Sequence, residues 1–206
     1  MKAEEVKRFI KDGKTGPEGE YQVFGVLVPL IDIEDDCLVL LEMRASTLKK
    51  QPGEISLPGG RKEKGETPLG AAVRETSEEL TIPEEAVLVF GPLDYLVTPF
   101  NYIIYPFVGE IKKPYVDRIK GSPDEVDEVF AVPLDFFLET EPECYQAATK
   151  LQIPQEFPFE LIPNGEGYNW GVGTYPVCFY CYNGRIIWGI TARILKNLTD
   201  RLKGNG

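Results

Sequence analysis

Histidine is absent from all 206 residues. That absence removes Ser-His-Asp triads, Cys-His dyads, His-built zinc sites and HExxH proteases. Any chemistry here must rest on carboxylates, Lys, Arg, Tyr or Cys. Basic charge is also scarce: 22 Lys plus Arg stand against 33 Asp plus Glu, a formal net charge of −11. Nucleic acid or an anionic membrane surface would need the opposite sign, so neither partner is expected. The longest apolar stretch, around Val23 to Ile31, is far short of the roughly 20 residues of a membrane helix. The four cysteines, Cys37, Cys144, Cys178 and Cys181, form no disulfide framework for a chain this long, and one C-F-Y-C pair is a weak zinc signal. Cys178 and Cys181 lie in an aromatic, strand-like run and are expected as free, buried packing residues. Early acids in MKAEEVKRFIKDG leave no apolar signal segment. The expectation is a soluble, cytoplasmic protein in a reducing compartment.

What the chain does contain is an ordinary globular composition, 43% hydrophobic and 27% charged. We expect one domain over 1–206, with an N-terminal extension at 1–20 and a closing hairpin and helix at about 175–202. Residues 3–11 carry weak helical periodicity. Strand-like runs occupy 21–31, 37–43, 86–95, 102–112 and 129–132, and a short Pro-started helix follows at 133–138. Runs 175–182 and 185–189 flank Asn183-Gly184, the strongest hairpin signal present. A last helix covers about 191–202. Segment 140–175 gives little to read. Strands mixed with a few helices point to an α/β or α+β domain.

The most informative helix runs from about 68 to 80. Thr67 suits its N-cap and Pro68 its first position. At about 100° per residue, Leu69, Ala72, Val73, Thr76 and Leu80 fall in one stripe, the expected buried face. Glu75, Glu78 and Glu79 gather on the other side. Glu75 and Glu79 are like charges one turn apart, which disfavours an isolated helix, and Arg74 can reach Glu78. Such a face is commonly just solvated; otherwise it suits a hard divalent cation such as Mg²⁺.

The preceding loop reads Gly59-Gly60-Arg61-Lys62-Glu63-Lys64-Gly65-Glu66-Thr67. Its glycines have P-loop spacing, but Glu66 stands at the lysine position and would repel phosphate, so a P-loop is excluded. Read from Gly60, the segment is G-x5-E-x7-R-E-x-x-E-E, with Gly60, Glu66, Arg74, Glu75, Glu78 and Glu79. This closely resembles the Nudix box of the Nudix hydrolases. Thr76 replaces a usual aliphatic residue, and Thr81 replaces the glycine that ends the helix. Thr76 can still lie on the buried stripe and bond back to the helix, while Thr81 removes the easy left-handed cap.

The resemblance implies an α/β/α sandwich around a mixed sheet, and hydrolysis of a diphosphate linked to another moiety. By position, Glu75, Glu78 and Glu79 would bind Mg²⁺ or Mn²⁺, with the Gly59 carbonyl a further ligand. Glu66 would act through water or by fixing the loop. The proton acceptor would be Glu75, Glu78 or an acid of the loop Asp124, Glu125, Asp127 and Glu128. Glu125 is the choice there, although a solvated acidic loop explains these residues at least as well. Glu75, Glu78, Arg74 and Glu125 are thus the catalytic candidates.

Upstream, 40–60 resembles the coenzyme A diphosphatase motif, L-L-T-x-R-S-x3-R-x3-G-x3-F-P-G-G. Arg44, Gly53, Pro58, Gly59 and Gly60 match. Glu42, Ala45, Lys49 and Leu57 depart from Thr, Ser, Arg and Phe, and Glu42 sets a negative charge near a polyanionic substrate. Thr98-Pro99, 106–109, 125–134 and 187–193 also resemble this subfamily. Trp188 is expected there as a buried packing residue. The implied substrate is CoA or an acyl-CoA, with Arg44, Lys49, Lys50 and Arg61 as phosphate-binding residues and Lys62 beside them. ADP-ribose, a nucleotide sugar or another dinucleoside diphosphate is the alternative, and a non-catalytic binding module is the third reading. A homodimer is compatible, but no residue pattern marks an interface.

Overall fold

A computed structural model describes residues 2–11, 13 and 15–204. After the exposed helix α1 (Ala3–Ile10), the apolar run QVFGVLVPLIDI forms β1 (Gln22–Ile33), which turns at Glu34-Asp35 into β2 (Asp36–Arg44). Strands β3 (Ile55–Ser56) and β4 (Gly59–Arg61) lead to α2 (Pro68–Glu79). Then follow β5 (Val87–Pro92), β6 (Leu96–Val97), β7 (Tyr102–Ile111), the short α3 (Lys113–Val116), β8 (Val126–Pro133) and α4 (Leu134–Glu139). The path β3-β2-β1-β7-β5 forms the main sheet, with β4 on β1, β6 on β7 and β8 on β2. Only β1 and β7 pair in parallel among these strands, so the sheet is mixed, as the resemblance implied. Because β1 is central, its Leu27, Val28 and Ile31 are all buried rather than alternating with polar residues.

Each face of the sheet carries a layer. On one, α2 lies directly over β1: a Cβ at Gly25 would sit 1.8 Å from the Pro68 carbonyl oxygen, so only glycine permits that approach. Leu40, Leu80, Ile82 and Ile111 pack on this side. On the other, Val28, Val39, Leu41 and Val132 pack with Phe137 of α4 and with the C-terminal elements. Those are β9 (Glu143–Thr149), β10 (Gly173–Tyr182), β11 (Arg185–Trp188) and α5 (Gly189–Leu202). The outer layer is therefore a three-stranded sheet, β11-β10-β9, together with a helix. The expected hairpin at Asn183-Gly184 is present, but β9 was not foreseen. Its residues ECYQAAT are exposed except for half-buried Thr149 and show no apolar alternation, so the local pattern carries no strand signal.

This extra strand also corrects the cysteine reading. Cys144 of β9 lies opposite Cys178 of β10, and the two form a disulfide. Cys178 is buried as expected but is not a free thiol, and Cys181 is exposed. Trp188 is corrected too. It is 40% exposed and stacks on Phe179, whereas its neighbour Ile187 points into the core. Alternation along β11 sends the two side chains to opposite faces.

The buried face of α2 differs from the hydrophobic stripe. Ala71, Ala72, Thr76 and Glu79 are buried, while Leu69 is 39% exposed. Close approach to β1 and β4 favours the smallest side chains over the most apolar ones. Thr67 caps the N-terminus, accepting from the Gly70 N–H at 3.0 Å, and Thr76 donates back to the Ala72 carbonyl at 2.6 Å. At the other end Thr81 adopts the left-handed conformation without glycine (φ 54°). The Ile82 N–H closes the turn on Ser77. A non-glycine residue there costs on the order of 1 kcal/mol.

Candidate active site

Arg74 organises the outer acids of α2. Its Nε lies 3.0 Å from Glu66 Oε1, and its Nη1 lies 2.9 Å from Glu75 Oε1 and 3.1 Å from Glu78 Oε2. Nη2 adds bonds to Glu66 and to the Arg61 carbonyl. Glu66 also accepts from the Glu63 N–H at 2.7 Å. It therefore pins the loop to the helix, and these donors hold its carboxyl below the usual range. Loop fixing was one of its two expected roles.

Glu75 lies against the β4 backbone. A Cβ on Gly60 would meet Glu75 Cδ at 2.2 Å, so glycine at 60 makes room for that carboxylate. Burial raises the Glu75 pKa despite the Arg74 contact. Glu79 differs again. It was expected on the open side with Glu75 and Glu78, yet it is only 3% exposed, and its Oε2 accepts from the Gly59 N–H at 2.8 Å. Burial, and then the charge of Glu42, drive its pKa upward.

In the sequence Glu42 stands out only as a departure from the threonine of the motif. It is fully buried on β2, and one oxygen accepts from Ser56 Oγ at 3.0 Å. Among the described residues the other oxygen has no partner, and neither does Arg44 Nε nearby. Burial raises the pKa of Glu42 as well, with Glu125 and Glu75 pushing in the same direction. The only sequence signal of its importance was that an acid stood where the motif has threonine.

The acidic loop resolves into separate roles. Glu128 is held by Arg185 through two 2.8 Å bonds, and Asp127 accepts from the Ser46 N–H at 2.9 Å. Among the described residues Glu125 makes no such side-chain bond, is exposed, and lies close enough for its charge to act on Glu42 and Glu75. Of the basic residues, Arg44 borders the buried acids and its charge lowers the pKa values of Glu42 and Glu79. Lys49, Lys50 and Arg61 are exposed. A separate recess of about 500 Å³, lined by Met43, Ile55, Phe179, Ile186 and Trp188, lies elsewhere. Met43 alternates with Glu42 along β2, so this recess faces away from the acids.

Among the described residues, no three acid or cysteine side chains converge as they stand to hold a metal ion. The reason is visible: Glu75 and Glu78 are turned to Arg74, and Glu79 to Gly59. The donors nevertheless fit a hard divalent ion. They are all oxygens, two of the acids are buried side by side, and one buried carboxylate oxygen is unpartnered. Arg74 engages one oxygen each of Glu75 and Glu78, so their other oxygens remain available to an ion.

Comparison with known proteins agrees with this geometry. The family model for the NUDIX domain matches residues 22–149. The chain belongs to the Nudix family. Nudix hydrolase 3 of Caenorhabditis elegans is 36% identical over 172 residues, covering 82% of this chain and 69% of that protein. The uncharacterized Nudix hydrolase NudL of Cronobacter sakazakii is 32% identical over 176 residues, covering 84% and 79%. The crystal structure of a MutT/nudix family protein from Enterococcus faecalis superimposes with a TM-score of 0.51 at 14% identity, over 98% of this chain and 70% of that one, a likeness of fold. This Nudix protein is a hydrolase, and the family generally uses divalent metal ions and small nucleotide-derived substrates. Among the described residues no helix is long and apolar enough to cross a membrane.

Proposed function

We propose that the enzyme hydrolyses the diphosphate of CoA or an acyl-CoA, yielding 3′,5′-ADP and (acyl-)4′-phosphopantetheine. The observation that carries this reading is the β2–β3 loop. Bonds from the Arg44 N–H to the Glu54 carbonyl (2.9 Å) and from the Gly53 N–H to the Arg44 carbonyl (3.0 Å) close its base. Lys49 and Lys50 stand exposed beyond that base, in the segment that resembles the CoA motif. Clustered positive charge on so acidic a chain favours a substrate with a 3′-phosphate besides its diphosphate.

Glu75, Glu78, Glu79 and the Gly59 carbonyl hold Mg²⁺ or Mn²⁺, with Arg74 positioning the acids. Bound there, the ion supplies neutralisation of phosphate charge and acidification of water. Glu125 accepts the proton of the attacking water. Arg44, Lys49, Lys50 and Arg61 bind the phosphates, and Lys49 does so as a point charge rather than a fork. Turnover of CoA, ADP-ribose and NADH, compared side by side with Mg²⁺ or Mn²⁺ and with products identified, tests the reading. CoA cleavage to 3′,5′-ADP is expected. A preference for ADP-ribose of about tenfold or more removes CoA as the substrate and leaves the diphosphatase.

A further inference from the structure

We infer that Glu42 is a fourth side-chain carboxylate of the divalent-cation site, reaching it from the sheet rather than from the helix. The inference rests on the metal-binding reading of α2 given above. Along β2, Leu41 packs into the core on the far side of the sheet, whereas Leu40 packs on the side of α2. Alternation places Glu42 on that same α2 side. An aliphatic residue would fill this position with no desolvation penalty, so a fully buried acid there calls for a partner.

The chain supplies only half of one. Ser56 Oγ satisfies Oε1, and Oε2 is buried without a bond among the described residues. Arg44 forms no ion pair with it among the described residues, and Arg44 Nε is itself unpartnered. The neighbours whose charge raises the Glu42 pKa are Glu125 and Glu75, and Glu42 in turn is the charge that most raises that of Glu79. Glu42 therefore faces acids. The charge of Arg44 reaches them but forms no bond to Glu42 among the described residues, and buried oxygens in that state can share a proton, or they can share a cation. The surrounding acids of the Nudix box favour the cation.

The test is Mn²⁺ binding by the full chain, followed by EPR of the free ion, together with water-proton relaxation of bound Mn²⁺. Wild type, Glu42→Gln and Glu42→Thr are compared, with Glu79→Gln as reference. Glu42→Gln and Glu42→Thr are expected to weaken Mn²⁺ binding by about tenfold or more. Each should also add one exchangeable water to the ion, with thermal unfolding in EDTA no lower than wild type. Thr provides a smaller replacement if Gln does not fold. Binding within twofold of wild type overturns the inference and leaves a proton shared with Glu79. So does weaker binding with an unchanged water count, because charge acting through space removes no ligand. Wild type that binds no Mn²⁺ defeats the metal reading of α2 as well, which separates the two failures.

Discussion

The acids around α2 divide into two groups of opposite character. Glu66 and Glu78 lie on the outside, bound to one guanidinium, and the Glu78 side chain remains 56% exposed. Glu42 and Glu79 lie between helix and sheet, at 0% and 3% exposure, with one backbone N–H and one hydroxyl between them. Glu75 sits at the boundary, half in each group. The Arg74–Glu78 contact is a weak surface pair between residues one turn apart, whereas Glu66 is largely covered by Arg74 and the loop. Breaking a buried pair commonly costs about 3–5 kcal/mol because it leaves a charge uncompensated. The inner acids come close to that condition, for the charge of Arg44 reaches them but no ion pair joins it to either among the described residues. Glu66 ties the loop to the helix, and the inner group has no positive group bonded to it among the described residues.

The largest expected effect lies in the inner group. Glu79→Gln should lower kcat/KM by on the order of 10³, about 4 kcal/mol of transition-state stabilisation, with no loss of thermal stability in EDTA. An equal loss from Glu66→Gln, measured in parallel, would break the distinction between inner and outer acids. Arg74 comes next. Arg74→Lys keeps the charge but loses the fork that spans Glu66, Glu75 and Glu78, so kcat should fall about 10- to 100-fold. KM should change much less, and Arg74→Ala should be worse still. If lysine restores full activity, the fork geometry has no role.

The smallest effect is on stability against pH, in EDTA-treated protein. Burial raises the pKa values of Glu42 and Glu79 above their unfolded values. The folded state therefore binds more protons than the unfolded chain. Their contribution to stability is complete below the ordinary carboxylate pKa of about 4.3. It is lost as pH rises through the raised folded values. The unfolding temperature should fall by several degrees between about pH 5 and pH 8, and Glu79→Gln should flatten that slope. A slope unchanged in the variant would show that the inner acids do not titrate as a buried pair.

Much of this site was legible in one dimension because its parts are local. A 12-residue helix with a Thr-Pro start places Glu75, Glu78 and Glu79 by its period alone, and Arg74 meets Glu78 one turn away. Glu66 and Gly60 are also near in sequence, and their spacing identifies the family. The failures share one cause. Leu69, Trp188 and Cys178 were assigned from their own chemistry, but each is decided by what another segment brings against it. β9 shows no periodicity because it is an exposed edge strand, held by β10 and a disulfide.

By itself the sequence determined the Nudix family, the mixed α/β architecture, the helix and which glutamates it carries. Those follow from residue period, capping and spacing, all of which act within a few turns of chain. Only the tertiary structure decided which glutamate is buried, that Glu42 on a separate strand faces it, and which acids of the 124–128 loop are held by a partner. A carboxylate's energy depends on its neighbours in space, and the sheet brings together residues that lie 37 apart in the case of Glu42 and Glu79.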